Sequence, residues 1–417
     1  MPVQDLGPVL KAAYPRVVAT LIRVLGDMDR AMDATQDALV KALQVWQVEG
    51  VPDNPVAWLV TVGRNRAVDV IRRDNRAVSL DQNVVALVEV ESTEEPPAEI
   101  DWSEVDDDLL RLMFTCCHPL LTQESQIVLM LKVVLGFSVE EIARGLLASP
   151  ASIEKRITRA KQKLKNEDVQ YEVPRAEEIP ERRAQVLKAI YLIFNEGYTR
   201  IQDQELARGS LIDVAIQLAR MTSRLFRFDP APRSLLALML LSAARLPARV
   251  GEDGVFVPLE KHDRSLWDQK LIGEGIAVID AVYAARHPPD AYQIQAAISA
   301  IHCQAASVEE TDWPQIVALY DKLGEYDPSP VIPVNRAVAL CFCDRAVDAM
   351  RELSDASVAK QLHDYQPYYA ALAFTYERAG LVVEAVEALA TAIDLAPSTA
   401  QKSYLQKERL RLESLLL

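Results

Sequence analysis

Apolar positions recur at helical spacing along most of the chain. In DATQDALVKALQVW, Leu39, Ala42, Leu43 and Trp46 share one face, which predicts an amphipathic helix. A loop over residues 47–55 follows, punctuated by Pro52 and Pro55. A second helix is expected from about Val56, with Val60, Gly63, Ala67, Val70 and Ile71 as its buried stripe. Asn65, Asp69, Arg72 and Arg76 lie opposite at i, i+4, i+7 and i+11, and Arg64, Arg66 and Arg73 widen that polar face. Residues 77–104 show no sustained period and contain Pro96-Pro97, as a linker does. Helical periodicity resumes over 105–166. From about Val186 to Leu417 helix follows helix, separated by Pro or Gly. With few glycines and few β-branched runs, the expected fold class is all-α.

One internal repeat is legible near the end. Tyr369, Leu372, Ala373, Tyr376, Ala385, Leu389, Ala392 and Pro397 match the spacing of a tetratricopeptide (TPR) repeat, and 296–301 and 335–353 read as degenerate copies. The small residues let two antiparallel helices approach closely. A single unit cannot bury its own face, so a stack of several is expected over 172–417.

The sharpest motif is a helix-turn-helix at 137–165. FSVEEIARGL supplies the first helix, with Ile142 and Ala143 inward, and Ser149 with Pro150 starts the second as N-cap and first helical residue. In the second helix Ile153, Ile157, Ala160 and Leu164 lie on one face, and Ser152, Lys155, Arg156, Arg159 and Lys163 on the other. Residues 149–165 hold six bases and one acid, which suits a helix entering the major groove. A solvated helix in a bundle would carry the same pattern. A second basic face, RNRAVDVIRRDNR at 64–76, lies beside Trp46 and Trp58. The tryptophans could hold an unstacked base or simply belong to the core.

Charge refines this picture. The net charge of −15 argues against nucleic acid only as an average. Residues 77–108 carry eleven acids and no Lys or Arg, and residues 172–417 carry 34 acids against 26 bases. Residues 1–76 have ten bases against nine acids, and residues 109–171 nine against six, so local clusters decide. No apolar run reaches membrane-span length, no secretory layout opens the chain, and five cysteines make no disulfide framework. A cytoplasmic protein without membrane contact is the expectation. Cys116-Cys117-His118 cannot converge on one ion, because consecutive helical residues point about 100° apart. There is no Walker loop, no GxGxxG and no catalytic set, so no metal, cofactor or enzymatic activity is expected.

Two DNA-facing helical units joined by an acidic linker resemble a bacterial RNA polymerase sigma factor of the extracytoplasmic-function type. Residues 8–76 are similar to sigma domain 2 and residues 105–166 to sigma domain 4, with nothing like a domain 3 between them. FTCCHP, NEGY, HDRSLWD, TDWPQIVALYD and PSPVIPVNRAVAL are similar to one subgroup, whose members carry a C-terminal TPR-like extension. Met32 stands where many members have glutamate, leaving Asp33 and Asp37 to carry the acidic patch.

The resemblance implies roles for particular residues. Asp33, Gln36 and Asp37 would meet the clamp helices of the polymerase β′ subunit. Trp58, Arg64, Asn65, Asp69, Arg72 and Arg73 would face the −10 promoter element, with loop 47–55 receiving a flipped base. Ser152, Lys155, Arg156, Thr158, Arg159 and Lys163 would enter the major groove at −35, with domain 4 on the β flap. The extension would be regulatory, and its repeats would offer a surface to a regulatory protein. Asp263, Arg264, Trp267 and Asp268 are candidates for packing it on the sigma domains, or for bracing neighbouring repeats. Two other classes stay open: a helix-turn-helix regulator that never meets polymerase, and a TPR-type scaffold with solvated basic helices.

Overall fold

The computed structural model describes residues 6–75, 102–146, 148–199, 205–251 and 255–416. Most of the acidic linker expected at 77–104, and Arg76, lie outside them, as does the side chain of Arg73. The described residues are helical apart from loops and one isolated antiparallel bridge between Val250 and Phe256. They form two compact units, residues 1–193 and 194–417.

In the first unit α1 (Gly7–Leu25), α2 (Met28–Glu49) and α3 (Pro55–Asn75) pack on one another. Gly26, at φ 67°, ends α1, and Asp27 caps α2 by accepting the Arg30 N–H at 2.8 Å. Ala31, Ala34, Ala38 and Ala42 give α2 a buried stripe of small side chains. The close approach this permits needs Gly63 on α3, because a Cβ there would sit 2.7 Å from a Leu21 methyl and 3.2 Å from the Ala34 carbonyl oxygen.

Two positions expected in the core are outside it. Leu43 is 43% and Val70 41% exposed. On α3 the contact line follows Leu59, Gly63, Ala67 and Ile71, and Val70 points about 100° away from Ile71. On α2 it follows Ala38, Ala42 and Trp46, which turns Leu43 out in the same way. The loop expected at 47–55 is shorter, because α2 continues to Glu49 before Gly50 leaves the helix at φ 87°.

Next come α4 (Trp102–Cys116), α5 (Gln123–Leu129), which runs into a π-helical turn (Met130–Val134), α6 (Val139–Gly145) and α7 (Pro150–Asn166). The π turn is nearly all buried and forms the floor on which α5 and α6 rest. These helices share a seam with α1. Arg16 pairs with Asp106 at 3.0 Å. Arg23 pairs with Asp108 at 2.9 Å, and Arg111 reaches the same carboxylate at 2.6 Å. The Asp108 side chain is wholly buried. Tyr171, beyond α7, lies 3.0 Å from the Ala19 carbonyl and 2.9 Å from the Asp108 carbonyl, so its one hydroxyl proton is shared across the seam.

After α8 (Ile179–Thr199), the second unit holds α9 (Glu205–Leu225), α10 (Pro230–Ala243), α11 (Gln269–Ala284) and α12 (Ala291–Gln304). Helix α10 is buried on almost every side, as its unbroken apolar run demands. Shorter helices follow: α13 (Trp313–Tyr326), α14 (Val331–Phe342), α15 (Ala346–Leu353), α16 (Ala356–Gln361), α17 (Gln366–Arg378), α18 (Val382–Asp394) and α19 (Thr399–Glu413). The repeat read from the sequence is the α17–α18 hairpin, turning at Gly380 with φ 77°. Leu372, Ala373, Ala385, Leu389 and Ala392 are buried, and they share one core with Leu340 of α14, Leu353 of α15 and Leu405 of α19. The hairpin thus buries its face against neighbours.

Candidate nucleic-acid interface

Helix α7 is set up by its own sequence. The Ser149 hydroxyl accepts the Ser152 N–H at 3.2 Å, and Pro150 occupies a first-turn position that has no N–H to satisfy. Ile153, Ile157, Ala160 and Leu164 are buried against α5 and α6. Helix α6 carries a capping box, with Ser138 and Glu141 satisfying each other's backbone N–H groups at 3.1 and 2.8 Å. Two well-capped helices therefore hold the basic face of α7 outward.

The six residues assigned to that face are not equivalent. Ser152, Lys155 and Arg159 are exposed, and Lys155 and Arg159 make no ion pair among the described residues. Arg156 is half-buried, close enough to Glu124 to help hold that carboxyl below its usual range, behind the larger effects of hydrogen bonds from its own backbone and Thr122. The Thr158 hydroxyl donates to the Glu154 carbonyl at 2.9 Å, and Lys163 donates to the Leu120 carbonyl at 2.6 Å. Two of the six thus spend their polar atoms on backbone. Lys161, outside the six positions expected to face DNA, pairs with Asp29 at the start of α2 and lies 4.0 Å from the Met32 sulfur. Nothing in the sequence marks this pair, since the partners are 132 residues apart.

The second face lies along α2 and α3. Asp33, Gln36 and Asp37 are exposed on α2. Arg64, Asn65 and Arg72 are half-buried on α3, and Asp69 is exposed. A cleft of about 430 Å³ runs between the helices, lined by Asp37, Val40, Gln44, Asn65, Arg66 and Asp69. It brings a residue assigned to polymerase together with two assigned to the −10 element. Asp37 pairs with Arg66 at 2.9 Å across this cleft, with both side chains about half exposed. Such a pair contributes at most about 1 kcal/mol.

The two tryptophans part company. Trp46 is 1% exposed and belongs to the core. Trp58 is half-buried and packs edge-on against it, with ring centroids 5.3 Å apart. Asn54 ends the loop as a cap, accepting the Ala57 N–H at 3.1 Å. Cys116 and Cys117 are buried, and burial pushes the Cys116 thiol up to about 12.

The residues considered for interdomain contact are engaged inside the second unit. Trp267 is 3% exposed and packs with Ala244, Ala248 and Ile272, so it offers no free anchor. Arg264 donates to the carbonyls of His302 at 3.0 Å and Ala305 at 2.5 Å. Asp263 accepts the Ser265 N–H at 2.9 Å, and Asp268 caps α11 through the N–H groups of Lys270 and Leu271.

Residues 9–77 match the family described as Sigma-70 region 2, and residues 111–164 match Sigma-70, region 4. Residues 182–283 match a family of unknown function, DUF6596. An uncharacterized protein of Rhizobium meliloti (strain 1021) is 38% identical over 96% of this chain and 94% of its own length. The ECF RNA polymerase sigma factor SigK of Mycobacterium sp. (strain KMS) is 28% identical, over 36% of this chain and 76% of its own. The ECF RNA polymerase sigma factor EcfG of Rhodopseudomonas palustris (strain TIE-1) is 29% identical, over 39% of this chain and 86% of its own.

Proposed function

The chain belongs to the extracytoplasmic-function family of RNA polymerase sigma factors, and from that premise we propose how its own residues serve promoter recognition. Asp33, Gln36 and Asp37 of α2 dock on the β′ clamp helices of core polymerase, in the cytoplasm. Trp58, Asn65, Asp69 and Arg72 face the −10 element. Lys155 and Arg159, with Ser152 and Arg156, read the −35 element from the major groove. The work is recognition and strand opening: phosphate contacts set the register, base edges set the sequence, and flipped bases are trapped. The observation that carries this reading is the pair of uncompensated bases, Lys155 and Arg159, on the outward face of a capped, well-anchored helix.

Engaging both elements requires a change within the first unit. The elements are about 25 base pairs apart, roughly 85 Å at about 3.4 Å per pair. A compact unit of 193 residues has a radius of gyration of about 16 Å. Helices α1–α3 and α4–α7 therefore part on the promoter, breaking the seam at Asp106, Asp108 and Tyr171. The acidic C-terminal unit regulates this step, and truncation near residue 172 changes promoter output.

In vitro transcription with core polymerase, with start sites sequenced, tests the reading. Initiation from promoters sharing −10 and −35 elements is expected. Binding that is equally tight without core polymerase, with no initiation, would overturn it in favour of a polymerase-independent regulator.

A further inference from the structure

The C-terminal unit contains a cavity of about 360 Å³, within the size range of small-molecule sites. Its walls come from α14, α17 and α19. Helix α17 lays Gln366, Ala370, Phe374 and Glu377 along one side, and α19 lays Gln401, Tyr404, Glu408 and Arg411 along another. The roof is formed by Arg249, Phe256, Pro258 and Glu260, which lie between α10 and α11. It is held down by Lys261, which pairs with Glu408 at 2.6 Å and stands 5.3 Å above the Tyr404 ring. Phe256 meets the same ring edge-on at 5.8 Å. The chain thus covers part of the inner face of its own repeats and leaves a half-open cavity.

Charge accounting leaves two groups over. Arg411 is committed to Glu377 and Glu408, both at 2.9 Å. Arg249 and Glu260 also line the cavity, and neither makes an ion pair among the described residues. The Arg249 guanidinium stacks over Tyr198 at 4.2 Å and Phe256 at 5.5 Å, while its Nε is buried without a hydrogen-bond partner. Its surroundings are positive: Arg245, Arg249 and Arg264 all act, after burial, to push His262 down to about 4. Glu260 is only partly accessible, and burial raises its carboxyl above the usual carboxylate range. Half-buried charges without a counter-charge are costly, so each favours an incoming one. Between them lie aromatic faces, and Gln401 adds a buried amide oxygen with no partner.

We propose that this cavity binds a small zwitterion with an apolar body, an amino acid with a large side chain or a dipeptide. The ligand carboxylate meets Arg249, its ammonium meets Glu260, and its body packs on Phe256, Phe374 and Tyr404. A simple anion or cation satisfies only one of the two charges. This assignment is independent of the sigma-factor activity.

The test is calorimetry on the full-length protein, without polymerase or DNA. The probes are the twenty amino acids, leucyl-phenylalanine and phenylalanyl-leucine, at up to millimolar concentration. At least one should bind with a Kd below a millimolar. Arg249→Gln and Glu260→Gln should each weaken it tenfold or more, with Arg249→Lys partly restoring it. The N-acetylated probe should bind weakly and be insensitive to Glu260→Gln, and the C-amidated probe likewise for Arg249→Gln. Melting of each variant without ligand checks its folding, and if Arg249→Gln fails to fold, the modified probes on the unaltered protein decide. No binding by any probe, or binding indifferent to blocking either charge, would overturn the proposal.

Discussion

Tyr171→Phe removes one hydroxyl and leaves the ring in place. That hydroxyl is shared between the carbonyls of Ala19 on α1 and Asp108 on α4, at 3.0 and 2.9 Å, so it acts across the seam. The hydroxyl is held firmly as a donor, since burial pushes its pKa well above the ordinary tyrosine value. A neutral hydrogen bond of this kind contributes about 1 kcal/mol net, or about a fivefold change in an equilibrium. If the seam opens when the promoter is engaged, the open population should rise about fivefold. Arg23→Gln removes a charge-assisted bond to the buried Asp108 carboxylate, but the Arg23 side chain is 41% exposed. Solvent screening lowers its contribution to about 1 kcal/mol as well. The two changes share Asp108, so their effects should not simply add. Resonance energy transfer between dyes at Val48 on α2 and Gln162 on α7, placed by unnatural amino acids, reads the opening directly. Both sites are exposed. A lower melting temperature with an unchanged distance distribution would refute the reasoning, because the bond would then brace the fold as a whole.

Four further outcomes follow from individual contacts. Lys155→Ala or Arg159→Ala should weaken −35 binding by about 1–3 kcal/mol with relaxed preference at one base, or uniformly across variants if the contact is to phosphate. Thr158→Val should change the same filter-binding assay less than twofold, since that hydroxyl is spent on the Glu154 carbonyl. Reversing Asp33 and Asp37 to Lys should abolish capture of core polymerase through like-charge repulsion while the melting temperature barely moves, because the Asp37–Arg66 pair is half exposed. His302 is buried, and burial with Arg245 and Arg264 nearby lowers its pKa from 6.5 to about 3. The unfolded chain therefore binds a proton below about pH 6.5 that the folded chain refuses until about pH 3, so stability falls on acidification through that window. A pH series of melting curves should show this loss, and His302→Gln should lessen it, the remainder coming in part from His262, whose pKa is lowered to about 4.

The residues themselves determined the helices and much of their orientation. Ser149-Pro150 and Ser138 with Glu141 act within one turn, so caps and starts are local and readable. The basic face of α7 followed from period alone, as did the α17–α18 hairpin, because apolar residues at helical spacing leave the other side to water. Where helices meet neighbours, period was insufficient. Leu43 and Val70 fit an apolar stripe, yet the i, i+4 contact line drifts past them, and only the partner helix sets that line. The candidate interface divides the same way. Lys163 and Thr158 were charged or polar on the correct face, but their atoms turn to the Leu120 and Glu154 carbonyls. Trp46 and Trp58 looked alike until packing buried one and left the other half open. The pairs Lys161–Asp29, Arg66–Asp37 and Arg23–Asp108, the Tyr171 bridge and the cavity holding Arg249 and Glu260 all join residues far apart in the chain. Local spacing carries no information about such contacts, because they exist only once the helices have packed.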